Sequence, residues 1–198
     1  MQGRVYFYAV SAVLMWSTTA ALVKSLLTAI PTYEALFVSS LAGALFLIVM
    51  QLVRGGGRVF RAYDVRGYAA MAGLGFLGIF LYSGLYYYGL SQLTSQEACI
   101  LNFLWPMMIV LFAAFLLGER ITVRTAAALL LSFSGVVALT LGGEGHAKGN
   151  AVMGMIACIL AAVCYGLFCV LNKRRNLDQT VMMVVAWGVT ALCSLPVT

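Results

Sequence analysis

The chain reads as an all-α, polytopic membrane helix bundle, and three observations lead there. Seven stretches of roughly twenty residues carry no charged side chain or only one, and short charged loops separate them. Hydrophobic residues make up 63% of the chain and charged residues 9%, where soluble domains carry about 25% charged. The apolar runs are continuous, which excludes the alternating strands of roughly ten residues that build a membrane barrel. A helix needs about 20 apolar residues to cross the hydrocarbon core, where no water satisfies the backbone.

The first span covers residues 5–27 and holds one charge, Lys24. Its apolar middle is longer than that of a secretory signal, and no small-residue cleavage site stands out before Pro31, so it reads as a retained span. Residues 35–53 form the second span. Residues 67–96 form the third, which carries the string Gly73-Leu74-Gly75-Phe76-Leu77-Gly78. Residues 98–118 form the fourth, with Pro106 in mid-span. Residues 125–143, 149–172 and 179–198 form the fifth to seventh, and the last ends apolar at Thr198.

Charge sets the expected orientation. Arg54, Arg58, Arg61 and Arg66 follow the second span, Arg120 and Arg124 the fourth, and Lys173, Arg174 and Arg175 the sixth, while Arg4 precedes the first. All fall on one side of an alternating path. Short basic loops mark the cytoplasmic side, so the N-terminus is expected in the cytoplasm of a multi-pass inner-membrane protein, with His146 outside. The net charge of +6 is spread between spans and forms no patch for nucleic acid; the expected surroundings are the lipid bilayer.

Cys99, Cys158, Cys164, Cys169 and Cys193 lie within spans and form no C-x-x-C pair, so neither a metal site nor a redox motif is expected. His146 lacks partner ligands. The glycine string matches G-x-G-x-x-G, but a dinucleotide site needs a preceding strand and a βαβ unit. Inside an apolar helix the string reads as close helix packing, and no cofactor is expected.

The sixth span can be laid on the first at an offset of 149, which sets Trp16-Ser17 on Tyr165-Gly166, Ala12 on Ala161 and Lys24 on Lys173. Five spans precede the repeat. That odd number starts the sixth span on the opposite side from the first, the geometry of the inverted repeats of secondary transporters.

The segment from Ser95 to Pro106, closed by Leu117-Gly118-Glu119-Arg120-Ile121-Thr122, resembles the fourth helix of the drug/metabolite transporter superfamily, EamA type. The Trp16-Ser17 pair and Tyr88-Gly89-Leu90 also look like that family. The resemblance covers essentially the whole chain. It implies ten helices in two inverted five-helix repeats around a central cavity. On that reading residues 1–141 are the first repeat, 142–149 a Gly-rich linker, and 150–198 the first two helices of the second. With seven spans of ten, the chain is expected to be a fragment, or to complete itself with a second chain or as a homodimer.

Asn102 and Pro106 are the sharpest site candidates. Proline has no N–H, so the carbonyl of Asn102, four residues back, loses its helical partner. Two readings stand: a polar spot on a wet cavity, or a packing kink with Asn102 bonded to a neighbouring helix. Lys24 and Glu97 read as a gate or charge pair, or as a snorkelling lysine and a carboxylate at a helix start. Trp16, Tyr82, Tyr86, Trp105 and Tyr165 lie deep and can line a substrate path or simply pack. Tyr6, Phe7, Tyr8, Tyr63, Tyr68 and Trp187 are expected near span ends or in loops.

The function expected is a secondary-active exporter of a small-molecule substrate, such as an amino acid, by alternating access between two inverted repeats. It is not expected to be an enzyme, because an intramembrane hydrolase would want a histidine within a span. A retinal-type seven-helix receptor needs a lysine in the last span, and residues 179–198 hold none. A non-transporting half-unit is the remaining alternative.

Overall fold

A computed structural model describes residues 2–53, 57–142 and 150–195. Arg54 and most of the expected linker, with Glu144, His146 and Lys148, lie outside the described residues. Among the described residues seven long helices follow one another: α1 (Gln2–Ala29), α2 (Thr32–Val53), α3 (Val65–Gln92), α4 (Ser95–Leu117), α5 (Val123–Gly142), α6 (Ala151–Arg175) and α7 (Gln179–Cys193), of which α1 to α4 and α6 are long and apolar enough to cross a membrane. A short 3₁₀ turn, Gly57–Arg61, precedes α3. The described part of α7 has 15 residues, or about 22 Å of helix, less than the ~30 Å hydrocarbon core.

Two spans depart from regular helix. The middle of α3 is a π-helical stretch, Phe76–Leu81, which contains the last glycine of the string. α4 stops at Asn102, turns through Phe103 and Leu104, and resumes at Trp105 with Pro106 in its first turn. The missing N–H of Pro106 falls where a restarting helix does not need it. The helix is thus interrupted at Phe103 and Leu104, just before Pro106.

Polar side chains cap the span starts. Asp64 accepts from the Gly67 N–H at 2.8 Å, Asn150 from Met153 at 3.2 Å, and Asp178 from Thr180 and Val181 at 2.9 and 3.0 Å. Thr94 and Glu97 form a reciprocal capping box at the start of α4. Such caps contribute about 1 kcal/mol each. At the other end of α4, Gly118 takes the left-handed conformation, with φ 70°, and stops the helix.

Lipid supplies no hydrophobic force between helices, so close backbone approach through small residues holds the bundle. α6 shows the pattern. Its buried positions Gly154, Ala157, Cys158, Ala161, Ala162 and Gly166 recur at three- and four-residue spacing on one face. That face packs on α3 and α4. A Cβ on Gly166 would lie 2.5 Å from that of Met108, and one on Gly78 would lie 2.0 Å from the Phe168 ring. α7 packs on α2 and the first half of α3, where a Cβ on Gly75 would meet the Ala186 Cα at 2.6 Å. Two glycines of the string, Gly75 and Gly78, are thus packing positions against α7 and α6.

Contacts at the two ends fix helix directions. Near the end of α1, Lys24 donates to the carbonyls of Leu90 and Leu93, the latter at 2.6 Å. At the start of α6, the Asn150 N–H donates to Gln92 at 3.1 Å, and Gly154 sits against Leu93. The end of α1 and the start of α6 therefore share one end of the bundle, and the two helices run in opposite directions. At the other end, Lys173 pairs with Glu119 at 2.7 Å, and the Asp178 N–H donates to the Tyr63 hydroxyl at 2.9 Å. Three of the basic segments thus meet at one end.

Candidate functional site

A cavity of about 330 Å³ lies among α1, α3, α4, α6 and α7. All six residues expected to touch a substrate line it: Trp16, Tyr82, Tyr86, Asn102, Trp105 and Tyr165. The helices place them by simple means. Tyr82 and Tyr86 stand one turn apart on α3, just after the π-helical stretch. Asn102 and Trp105 flank the break in α4. Tyr165 follows the small-residue face of α6, one position before Gly166.

The five aromatic residues form one chain of ring contacts. Trp16 meets Trp105 edge to face at 6.2 Å, and Trp105 meets Tyr165 in the same way at 5.4 Å. Tyr165 lies 4.8 Å from Tyr82, which stacks on Tyr86 at 6.1 Å with ring planes 7° apart. Edge-to-face and offset pairs of this kind contribute about 0.5–1.5 kcal/mol each beyond burial. They also present both faces and edges to anything in the cavity.

The polar centre is Asn102. Its Nδ2 donates to the Tyr82 hydroxyl at 3.1 Å, which ties the break in α4 to the middle of α3. Its Oδ1 is buried without a hydrogen-bond partner. An amide oxygen left in that state costs about 1–3 kcal/mol. Asn102 bonds a neighbouring helix and also borders the cavity.

The remaining expectations divide. The Glu97 carboxylate accepts from the Thr94 N–H and hydroxyl at 2.9 and 2.8 Å, so it serves a helix start. Lys24 ties down the final carbonyls of α3, a position where a cation complements the helix dipole. Trp187 is not a span-end residue. It lines the cavity and covers Gly43, where an added Cβ would meet its ring at 3.5 Å, and its place in the middle of residues 179–198 is the signal for that. Tyr87, Phe103, Thr19 and Ser83 also line the cavity. Thr19 and Ser83 were legible as small polar groups deep in apolar spans. Among the described residues no group of His, Cys, Asp or Glu is arranged to hold a metal ion.

Residues 3–141 match the EamA-like transporter family. The chain belongs to that family. Its Leu117–Thr122 signature now has a physical reading: Gly118 stops α4, Glu119 pairs with Lys173, and the Thr122 hydroxyl accepts from the Thr125 N–H at 3.2 Å to start α5.

Relatives of this EamA-type chain include the aromatic amino acid exporter YddG of Ancylobacter novellus, 32% identical over 83% of the chain and 56% of the relative. The pseudopaline exporter CntI of Pseudomonas aeruginosa is 28% identical over 95% of the chain and 64% of the relative. A solved crystal structure superposes with a TM-score of 0.68 at 28% identity, covering 95% of this chain and 66% of that one. The chain therefore spans between about half and two thirds of the length of these three proteins. It is a multi-pass membrane protein of the EamA-like transporter family.

Proposed function

We propose that this EamA-type chain forms the substrate cavity of a secondary-active exporter of small metabolites. The observation that carries the proposal is the cavity itself, which gathers Trp16, Tyr82, Tyr86, Asn102, Trp105 and Tyr165 from four helices. Alternating access would move residues 1–141 against the unit that begins at residue 150. The opposed directions of α1 and α6 and the matching Trp16 and Tyr165 positions support reading those units as inverted repeats. The relatives' names favour export, and the aromatic lining favours a cargo with a flat ring, such as an aromatic amino acid. Lys24 and Glu97 lie toward the outer end and would act there by holding the ends of α3 and α4. The protein would sit in the inner membrane with its N-terminus in the cytoplasm. Completion of the cavity by a second chain or a second copy belongs to the same proposal.

The test is release of radiolabelled L-phenylalanine from preloaded proteoliposomes holding the intact protein. Release should exceed that of protein-free liposomes and should fall in Trp105→Ala and Tyr165→Ala. Release equal to the protein-free control for phenylalanine and for a panel of other amino acids would sink the exporter reading. Chemical cross-linking in the same membranes reports whether two copies assemble.

A further inference from the structure

We propose that Asn102 and Tyr82 form a head-group subsite for an α-amino acid, built from a neutral acceptor and a neutral donor side by side. The proposal rests on the exporter reading above and deepens it. The Asn102 Nδ2 is spent on the Tyr82 hydroxyl oxygen at 3.1 Å. That bond uses the oxygen of Tyr82 as acceptor and leaves its O–H free to donate. The Asn102 Oδ1 is buried with no partner and can only accept. The pair thus offers one unused acceptor and one unused donor on groups already bonded to each other.

An α-amino acid carries the complement, an ammonium donor and a carboxylate acceptor on one carbon. The ammonium has three N–H donors. One would reach Asn102 Oδ1, and another the Asn102 carbonyl, which Pro106 cannot engage. The carboxylate would accept from Tyr82. Because neither protein group is charged, a zwitterion satisfies the pair without leaving a buried net charge, whereas an amine or an acid alone satisfies one half of it. The ring of the cargo would then lie against Trp105 and Tyr165, whose planes stand at 85°, so that one supplies a face where the other supplies an edge. Tyr82 and Trp105 also offer ring faces to the ammonium.

The test is calorimetric titration of the purified intact protein with L-tryptophan, tryptamine and indole-3-propionate, which share one ring. The wild type should bind tryptophan about tenfold tighter than either half-ligand, the size of one lost charge-assisted hydrogen bond. Asn102→Leu should cut the advantage of tryptophan over indole-3-propionate several-fold and keep its advantage over tryptamine. Tyr82→Phe, which keeps the ring and its stacking, should do the reverse. Equal affinity for the three ligands, no binding of any by the wild type, or uniform weakening in both variants would overturn the subsite. If Asn102→Leu fails to insert, the Tyr82→Phe pattern decides alone. Flux separates the two readings: wild-type export without head-group discrimination removes the subsite only, whereas absence of export of every amino acid tested removes the transporter reading.

Discussion

Lys173, in the last turn of α6, meets Glu119, just past the end of α4, at 2.7 Å. The pair joins the first five helices to the sixth at the end where the basic loops gather. Both side chains are more than half exposed, at 68% and 52%. Exposed pairs contribute about 1 kcal/mol or less and weaken with salt. Glu119→Gln should therefore lower stability by less than about 1 kcal/mol, and the difference from wild type should vanish in high salt. Thermal melting in detergent at two ionic strengths checks it, and a deficit that persists in high salt would show that Glu119 does more than pair.

One residue earlier the expectation is larger. Gly118 holds φ 70°, where a side chain adds about 1–2 kcal/mol of strain. Gly118→Ala should destabilise by about that much although a Cβ there would meet nothing within 4 Å. Melting of the Ala variant equal to wild type would mean that the turn relaxes into another shape.

The glycine string separates packing from sequence pattern. At Gly73 an added Cβ meets nothing within 4 Å, whereas at Gly78 it overlaps Phe168 at 2.0 Å. Gly73→Ala should be neutral or stabilising by up to about 1 kcal/mol through helix propensity. Gly78→Ala should destabilise by about 1–3 kcal/mol through overpacking. The ranking of the two melting temperatures is the readout, and a reversed ranking would contradict the α3–α6 contact.

Pro106 is expected to matter for transport more than for folding. Pro106→Ala supplies an N–H for the Asn102 carbonyl, closes the break at Phe103 and Leu104, and draws Asn102 away from Tyr82. Membrane-inserted protein should hold at wild-type level while amino-acid release from proteoliposomes falls several-fold. Normal release would reduce the break to a packing feature.

Orientation is testable by thiol labelling in intact cells of a cysteine-free background. A cysteine at the exposed Tyr33 position, in the first turn of α2, should react with an impermeant reagent, and one at Arg61 should be protected. The opposite pattern would place the basic loops outside.

The sequence by itself determined the class of fold. Long uncharged runs can satisfy their backbone in lipid only as helices, so the order of the seven helices was legible, and Pro106 announced the break in α4 because a proline nitrogen carries no hydrogen. Deep aromatic residues and Asn102 were likewise legible as a set, since position along a span gives depth. Depth gives no rotation about the helix axis. For that reason only the tertiary structure decided that Trp16, Trp105, Tyr165, Tyr82 and Tyr86 touch in one chain, that Trp187 turns inward beside them, and that Asn102 spends its nitrogen on Tyr82 and leaves its oxygen free. The same limit applied to Glu97: its sequence allowed a gate or a helix cap, and the contacts with Thr94 that cap the helix came only with the tertiary structure. Which helices approach closely was also a tertiary decision, because small residues permit contact on any face, and only the partner side chains, Phe168 at Gly78 and Met108 at Gly166, show which face was used.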